Sequence, residues 1–181
     1  MGAAATHRFA AEGASIVVAD HDGDAAATVA ESVNQQGGSA TAVTVDVRSA
    51  TETAAMVDAA TSKFGGVDVL YNNAGISPAG DGTPLETEPD VWDATFEVNV
   101  KGVYLCCRAA LPTMLENGGG SIINVASFVA HVGAATPQLA YTSSKGAVLS
   151  MTKEIAAIYA RQGIRVNALC PGPVLTPLLA K

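Results

Sequence analysis

The chain is poor in the residues that mark several large classes of protein. Cysteine occurs three times, at Cys106, Cys107 and Cys170, an odd number without metal-ligand spacing. That argues against a disulfide framework and reads as reduced, mostly buried thiols in a cytoplasmic protein. Histidine also occurs only three times, scattered, so no metal site is expected. Basic residues number ten against seventeen acidic ones, for a formal net charge of −7. Nucleic acid and anionic membrane surfaces reward clustered Lys and Arg, so neither is an expected partner. No apolar stretch reaches the roughly 20 residues of a membrane helix, and no apolar segment follows a basic start as in a secretory signal. Internal repeats, low-complexity tracts and linkers are absent too, which predicts no domain boundary. What is there is 181 residues, 49% hydrophobic, enough for one domain with a sizeable core.

Two hydrophobic periods alternate along the chain. MGAAATHRFAAEGASIVVAD reads as a helix, a glycine turn and a buried strand, Ser15–Asp20. Helices are then predicted at Asp24–Gln36, Ala50–Phe64, Asp90–Glu116 and Gln138–Gln162, with Pro112 kinking the third or ending it near Ala110. The remaining strands are read at Thr41–Asp46, Val67–Tyr71, Ser121–Ala126 and Ile164–Cys170, and Asn72 to Pro89 as loop. Strands alternating with helices predict βαβ units and a parallel α/β sheet with helices on both faces. Ligands of such sheets bind beyond the carboxyl ends of the strands. Asp20, Asp46-Val47, Asn72 to Gly75, Ala126-Ser127 and Pro171-Gly172 fall there, a run of small, polar and turn-forming residues on one edge.

The sharpest local signal is AYTSSKGAV. Tyr141 and Lys145 lie four apart on a helix, so their side chains share a face one turn apart. A phenol with an unperturbed pKa near 10 exchanges protons poorly at neutral pH, and a neighbouring ammonium favours its ionised form. The pair suits proton transfer to or from a carbonyl or alcohol oxygen. Alone, such spacing is common on helix surfaces, and context must support it.

The context is a series: NNAG after a strand, an Asn in FEVNVKG, a Ser after NVA, then YTSSK, then RVNALCPGPVLTP. In order and approximate spacing the series resembles the short-chain dehydrogenase/reductase family over essentially the whole chain. The resemblance implies a Rossmann-like, doubly wound parallel sheet and hydride transfer between a nicotinamide and a secondary alcohol or ketone. It implies that Tyr141 is the catalytic acid/base, that Lys145 lowers its pKa and holds the nicotinamide ribose, and that Ser127 hydrogen-bonds the substrate oxygen. Asn99 resembles the member that holds a water in a proton relay to the lysine; read by itself, it is a helix-interior amide bonded to neighbouring backbone. Ser127 lies fourteen residues before Tyr141, one more than the commonest family spacing, which points to an insertion in HVGAATPQL. His131 in that loop reads as solvent-exposed.

The same resemblance implies cofactor contacts at Gly2, Asp20, Asp46, Val47, Asn73, Ala74, Gly75, Pro171, Gly172, Val174 and Thr176. Asp20 is placed to accept from the adenosine 2′- and 3′-hydroxyls and would repel a 2′-phosphate, so NAD is expected over NADP. Homo-oligomers are implied, dimer or tetramer, through helices around Trp92–Ala110 and Tyr141–Ala160. Family members carry a first strand and a TGxxxGxG turn ahead of the first helix, with Gly2 aligning with the last of those glycines, and a substrate-covering segment beyond LTPLLAK. A chain without them is expected to be incomplete at both ends: either its sheet closes over the slot or two strands keep unpaired edges. A catalytically silent fragment, acting at most as an interaction module, is the competing expectation.

Overall fold

The structure, a computed structural model, describes residues 1–176. Helices are α1 (Gly2–Ala11), α2 (Gly23–Gln35), α3 (Ala50–Phe64), α4 (Pro89–Phe96), α5 (Gly102–Glu116) and α6 (Leu139–Tyr159); strands are β1 (Ser15–Asp20), β2 (Ser39–Thr44), β3 (Val69–Asn72), β4 (Gly120–Val125) and β5 (Ile164–Leu169). Local chemistry sets most of these boundaries. The Asp22 carboxylate accepts from the Ala25 amide and starts α2; the Ser49 hydroxyl accepts from Glu52 and starts α3. Gly65, at φ 89°, takes the left-handed turn that ends α3. Gly119, at φ 146°, lies against the Gly163 carbonyl, where a Cβ would come within 2.7 Å, so the turns ahead of β4 and β5 pack backbone to backbone.

Every strand pair is parallel, so the carboxyl ends gather on one edge. Of the two outcomes expected for the sheet, the second holds: β1 pairs with β2, and β3–β4–β5 form a separate three-stranded sheet. The facing edges of β1 and β3 are not hydrogen-bonded to each other, and the sheet does not close. Helix α1 packs on β1, and its Phe9 ring meets Tyr71 of β3 edge-on at 6.0 Å, bridging the two sheets. For the same reason β1 is not the buried strand expected. With one partner strand its residues are half-buried or exposed.

The helix read across residues 90–116 is interrupted where no residue signals a break and continues through the proline that does. Glu97–Lys101 form a π-helical turn between α4 and α5, whereas Pro112 sits inside α5. Pro112 and Arg108, whose carbonyl loses its usual partner, both lie on the exposed face, so water can satisfy that carbonyl.

The principal core lies between β3–β5 and helices α3, α5 and α6, with Met114, Ile122, Val148 and Ile164 fully buried. Cys106 and Cys107 belong to it; burial pushes their thiols up to about 12 and about 11, which keeps them protonated. A smaller cluster, Ala30, Val33 and Ala40, joins α2 to β2. Among the described residues no helix is long and apolar enough to cross a membrane.

Candidate active site

Strand β4 ends at Val125 and delivers Ser127 two residues later. The Ser127 hydroxyl accepts from the Val129 amide at 3.4 Å and opens a short 3-10 turn, Phe128–Ala130. Helix α6 sets Tyr141 and Lys145 on one face beside it. The Lys145 ammonium, only 4% exposed, donates to the Val125 carbonyl at 2.8 Å and stands 5.5 Å from the centre of the Tyr141 ring. Burial pulls the Lys145 ammonium down to about 8. Burial pushes the Tyr141 phenol up, while the Ser127 hydroxyl beside it acts the other way. The phenol therefore departs in the direction opposite to that expected from the Tyr–Lys spacing, because loss of water around it outweighs its neighbours.

Asn99 is fully buried in the π-helical turn. Its Oδ1 accepts from the Ile76 amide at 2.8 Å, and its Nδ2 donates to the Ile76 carbonyl at 2.9 Å and to the Ser144 hydroxyl at 3.0 Å. The side chain thus clamps the loop after β3 to α6 across a long sequence separation, rather than bonding within its own helix. Both Nδ2 hydrogens are thereby taken, while Oδ1 keeps a second lone pair. Gly75 fits between Asn99 and Lys145: a Cβ there would stand 3.3 Å from both Asn99 Oδ1 and Lys145 Nζ. The π-turn was not legible from helical periodicity, although such bulges gather at functional sites.

Ser77, Ser127, Tyr141, Pro171, Gly172, Val174 and Thr176 share the wall of one cavity of about 310 Å³, with Met1 at its margin. At the other end, Gly2 opens α1 close to Asn73, where a Cβ would come within 2.9 Å of the Asn73 amide nitrogen. Ala74 lies exposed in the same loop. Asp20 stands exposed at the end of β1, one oxygen accepting from the Asp22 amide at 3.1 Å and 2.8 Å from His21 Nδ1. His131 is exposed in its loop, as expected.

Two groups escaped the sequence reading. Arg48 donates to both oxygens of Asp46, at 2.6 Å from Nη2 to Oδ2, and together with its own amide holds that carboxyl down to about 2. The Asp46 carboxylate is thus already engaged at the position expected to meet adenine, while Val47 packs toward Gly102. An Asp with a residue two positions on that can bond back to it was the available signal. The second group is a buried chain: Asn72 Nδ2 donates to Asn124 Oδ1 at 2.8 Å, and Asn124 Nδ2 to the Thr152 hydroxyl at 2.9 Å. It ties β3, β4 and α6 together beneath the site.

Parallel strands with helices packed on them, and Ser127 and Tyr141 on one cavity beside the strand ends, define the class of parallel α/β proteins. Comparison narrows it. A family model described as short chain dehydrogenase matches residues 1–181, and the chain belongs to that family. It is 47% identical over 137 residues to 2-(R)-hydroxypropyl-CoM dehydrogenase of Xanthobacter autotrophicus, covering 75% of this chain and 54% of the relative. It is 39% identical to meso-2,3-butanediol dehydrogenase of Serratia marcescens over 97% of this chain and 68% of the relative. D-threitol dehydrogenase of Mycolicibacterium smegmatis is 35% identical, at 98% and 67% coverage. Among solved structures, a short-chain dehydrogenase/reductase from Burkholderia xenovorans superposes with TM-score 0.94 at 32% identity, over 99% of this chain and 70% of that one. The chain therefore spans about half to two thirds of the length of the first curated relatives it matches.

Proposed function

We propose that the chain carries the nucleotide-binding and proton-transfer parts of an NAD-dependent oxidoreductase acting on a small secondary alcohol or its ketone. The observation that supports this most directly is the convergence of the Ser127 hydroxyl and the Tyr141 phenol on one cavity, with the Lys145 ammonium buried behind them. When bound, NAD supplies the hydride chemistry at the carbinol carbon. Tyr141 takes the alcohol proton in one direction and returns it in the other, while Ser127 hydrogen-bonds the same oxygen and steadies its developing charge. Lys145, cationic below about pH 8, favours the ionised phenol and is placed to hold a ribose hydroxyl. Asn99 keeps Ile76, and hence the glycine-bearing loop, in place.

The residues present fit such a cofactor. The N-terminus of α1 has no side-chain cap, so its amides are available to phosphate. Gly75 leaves room that a Cβ would take, and Asp20 offers a carboxylate to ribose hydroxyls while repelling a 2′-phosphate. The names of three relatives, built on hydroxypropyl, threitol and butanediol, support a secondary alcohol as substrate. Exposed Tyr104 on α5 and Ile158 on α6 support pairing of those helices with a second copy.

The test is NADH binding, followed by energy transfer from Trp92, alongside turnover of meso-2,3-butanediol and D-threitol with NAD. Saturable NADH binding, weaker for NADPH, is expected. Tyr141→Phe should keep that binding and lose roughly 10²–10⁴ of the turnover. Full turnover in that variant would remove Tyr141 from the chemistry. Among the described residues the edges of β1 and β3 are not joined, which favours the second reading, a catalytically silent fragment, and a folded chain that binds no NADH would support it.

A further inference from the structure

The helix that carries Tyr141 and Lys145 begins without a cap of its own. Gln138, at its N-cap position, makes no side-chain capping bond. The donors of its first turn are satisfied instead from the loop between β3 and α4. The Leu139 amide donates to the Gly82 carbonyl at 3.1 Å. The Ala140 amide donates to Asp81 Oδ1 and the Tyr141 amide to Asp81 Oδ2, each at 2.8 Å. Both oxygens of one carboxylate thus hold two successive amides, one of them that of Tyr141 itself.

We infer that Asp81 is a positioning residue for Tyr141, setting the root of its side chain from a loop some sixty residues earlier in the chain. The inference rests on the reading of Tyr141 as the proton-transfer group. Three features support it. A carboxylate at a helix N-terminus combines a charge-assisted hydrogen bond with a favourable helix dipole, so the grip is firm. The loop is itself braced: the Gly82 amide donates to Thr87 Oγ1 at 2.9 Å, Thr87 Oγ1 lies 3.5 Å from Asp81 Oδ1, and the Thr83 amide donates to Glu86 Oε2 at 3.0 Å. Finally, the same loop is held at Ile76 by Asn99, and Ser77 lines the cavity. A single segment therefore spans the site, clamped by Asn99 at one end and clamping α6 at the other. Proton transfer depends steeply on where the phenol stands, so an error at this anchor falls on catalysis before it falls on folding.

Three variants separate this role from simple loop or helix stability. Asp81→Ala removes both acceptors, Asp81→Asn keeps one, and Glu86→Ala loosens the loop without touching α6. In protein labelled at the tyrosine ζ-carbon, with the Tyr141 resonance identified by Tyr141→Phe, Asp81→Ala should shift or broaden that resonance and leave those of Tyr104 and Tyr159 in place. Amide exchange at Ala140 and Tyr141 should quicken roughly tenfold or more, the loss of about one strong hydrogen bond. With NAD and meso-2,3-butanediol, kcat should fall roughly tenfold while the KM for NAD stays unchanged. Asp81→Asn should fall between Asp81→Ala and the native chain, and it replaces the alanine variant should that one fail to fold. A folded Asp81→Ala chain with native Tyr141 resonance and native amide exchange would overturn the inference, as would the same changes in Glu86→Ala. Absence of turnover in the native chain would count against the proposed reaction, and the resonance and exchange measurements would still decide the role of Asp81.

Discussion

The half of the molecule built on β3, β4 and β5 and the half built on β1 and β2 carry different parts of the proposed site, and they are packed differently. The first holds the large core and the buried Asn72–Asn124–Thr152 chain, with Ser127, Tyr141 and Lys145 directly above it. The second holds a three-residue cluster and presents Asp20 and Asp46 at the surface. On the proposed reading, the groups that meet the reacting atoms stand on the desolvated half, where burial also moves the protonation of Tyr141 and Lys145. The groups that on the same reading recognise the cofactor's polar parts stand on the lighter half, Asp20 exposed and Asp46 paired with Arg48.

The sharpest way to break this contrast is to cut the buried chain. Asn124→Ala leaves the Asn72 amide with only the Cys107 sulfur, at 3.4 Å, and removes the donor to Thr152. At about 1–3 kcal/mol for each unsatisfied buried group, denaturant unfolding should report a loss of about 4 kcal/mol. A loss below about 1 kcal/mol would show that the two halves do not differ as described.

The second test uses pH. Lys145 has a folded-state value of about 8 against an ordinary 10.5, so the native state disfavours its charged form. Below pH 8 both states are protonated and the folded chain carries the whole penalty. Between pH 8 and 10.5 the unfolded state binds more protons, so this contribution to stability recovers as pH rises. Cys106 and Cys107 oppose it at high pH, and a comparison with Lys145→Met isolates the lysine. The stability difference between variant and native chain should change by about 3 kcal/mol across that window, taking about 1.4 kcal/mol per unit. A flat difference would mean that Lys145 is solvated.

The smallest effect belongs to the lighter half. Asn34 bonds both main-chain groups of Ala40, at 2.8 and 3.1 Å, but at an exposed position. Asn34→Ala should cost about 1 kcal/mol, since water replaces the lost partners. A cost equal to that of Asn124→Ala would erase the comparison.

Much of this was legible along the chain. Ser49 and Gly65 mark both ends of α3, and Ser127, Pro171 and Gly172 share one cavity beyond the strand ends. The limits appear at particular residues. Read by itself, apart from the family resemblance, Asn99 is an amide bonded to neighbouring backbone, because nothing local reveals that its partner is Ile76 in a different loop. Pro112 looked like a break, because its exposure is a tertiary fact. The pairing of Arg48 with Asp46, two residues away, is by contrast a local feature that the sequence carries in full.

By itself the sequence determined which segments are helix and strand and in what order, and which residue types stand at the carboxyl ends of the strands. Those properties follow from periodicity, capping and turn chemistry, which act over a few residues. Tertiary structure alone decided that the sheet divides between β1 and β3, that the helix widens at Glu97–Lys101, that Asp81 meets the first turn of α6, and that Lys145 and Tyr141 shift away from their ordinary values. Each depends on which distant group removes water from, or donates a hydrogen bond to, a given atom, and no spacing along the chain records that.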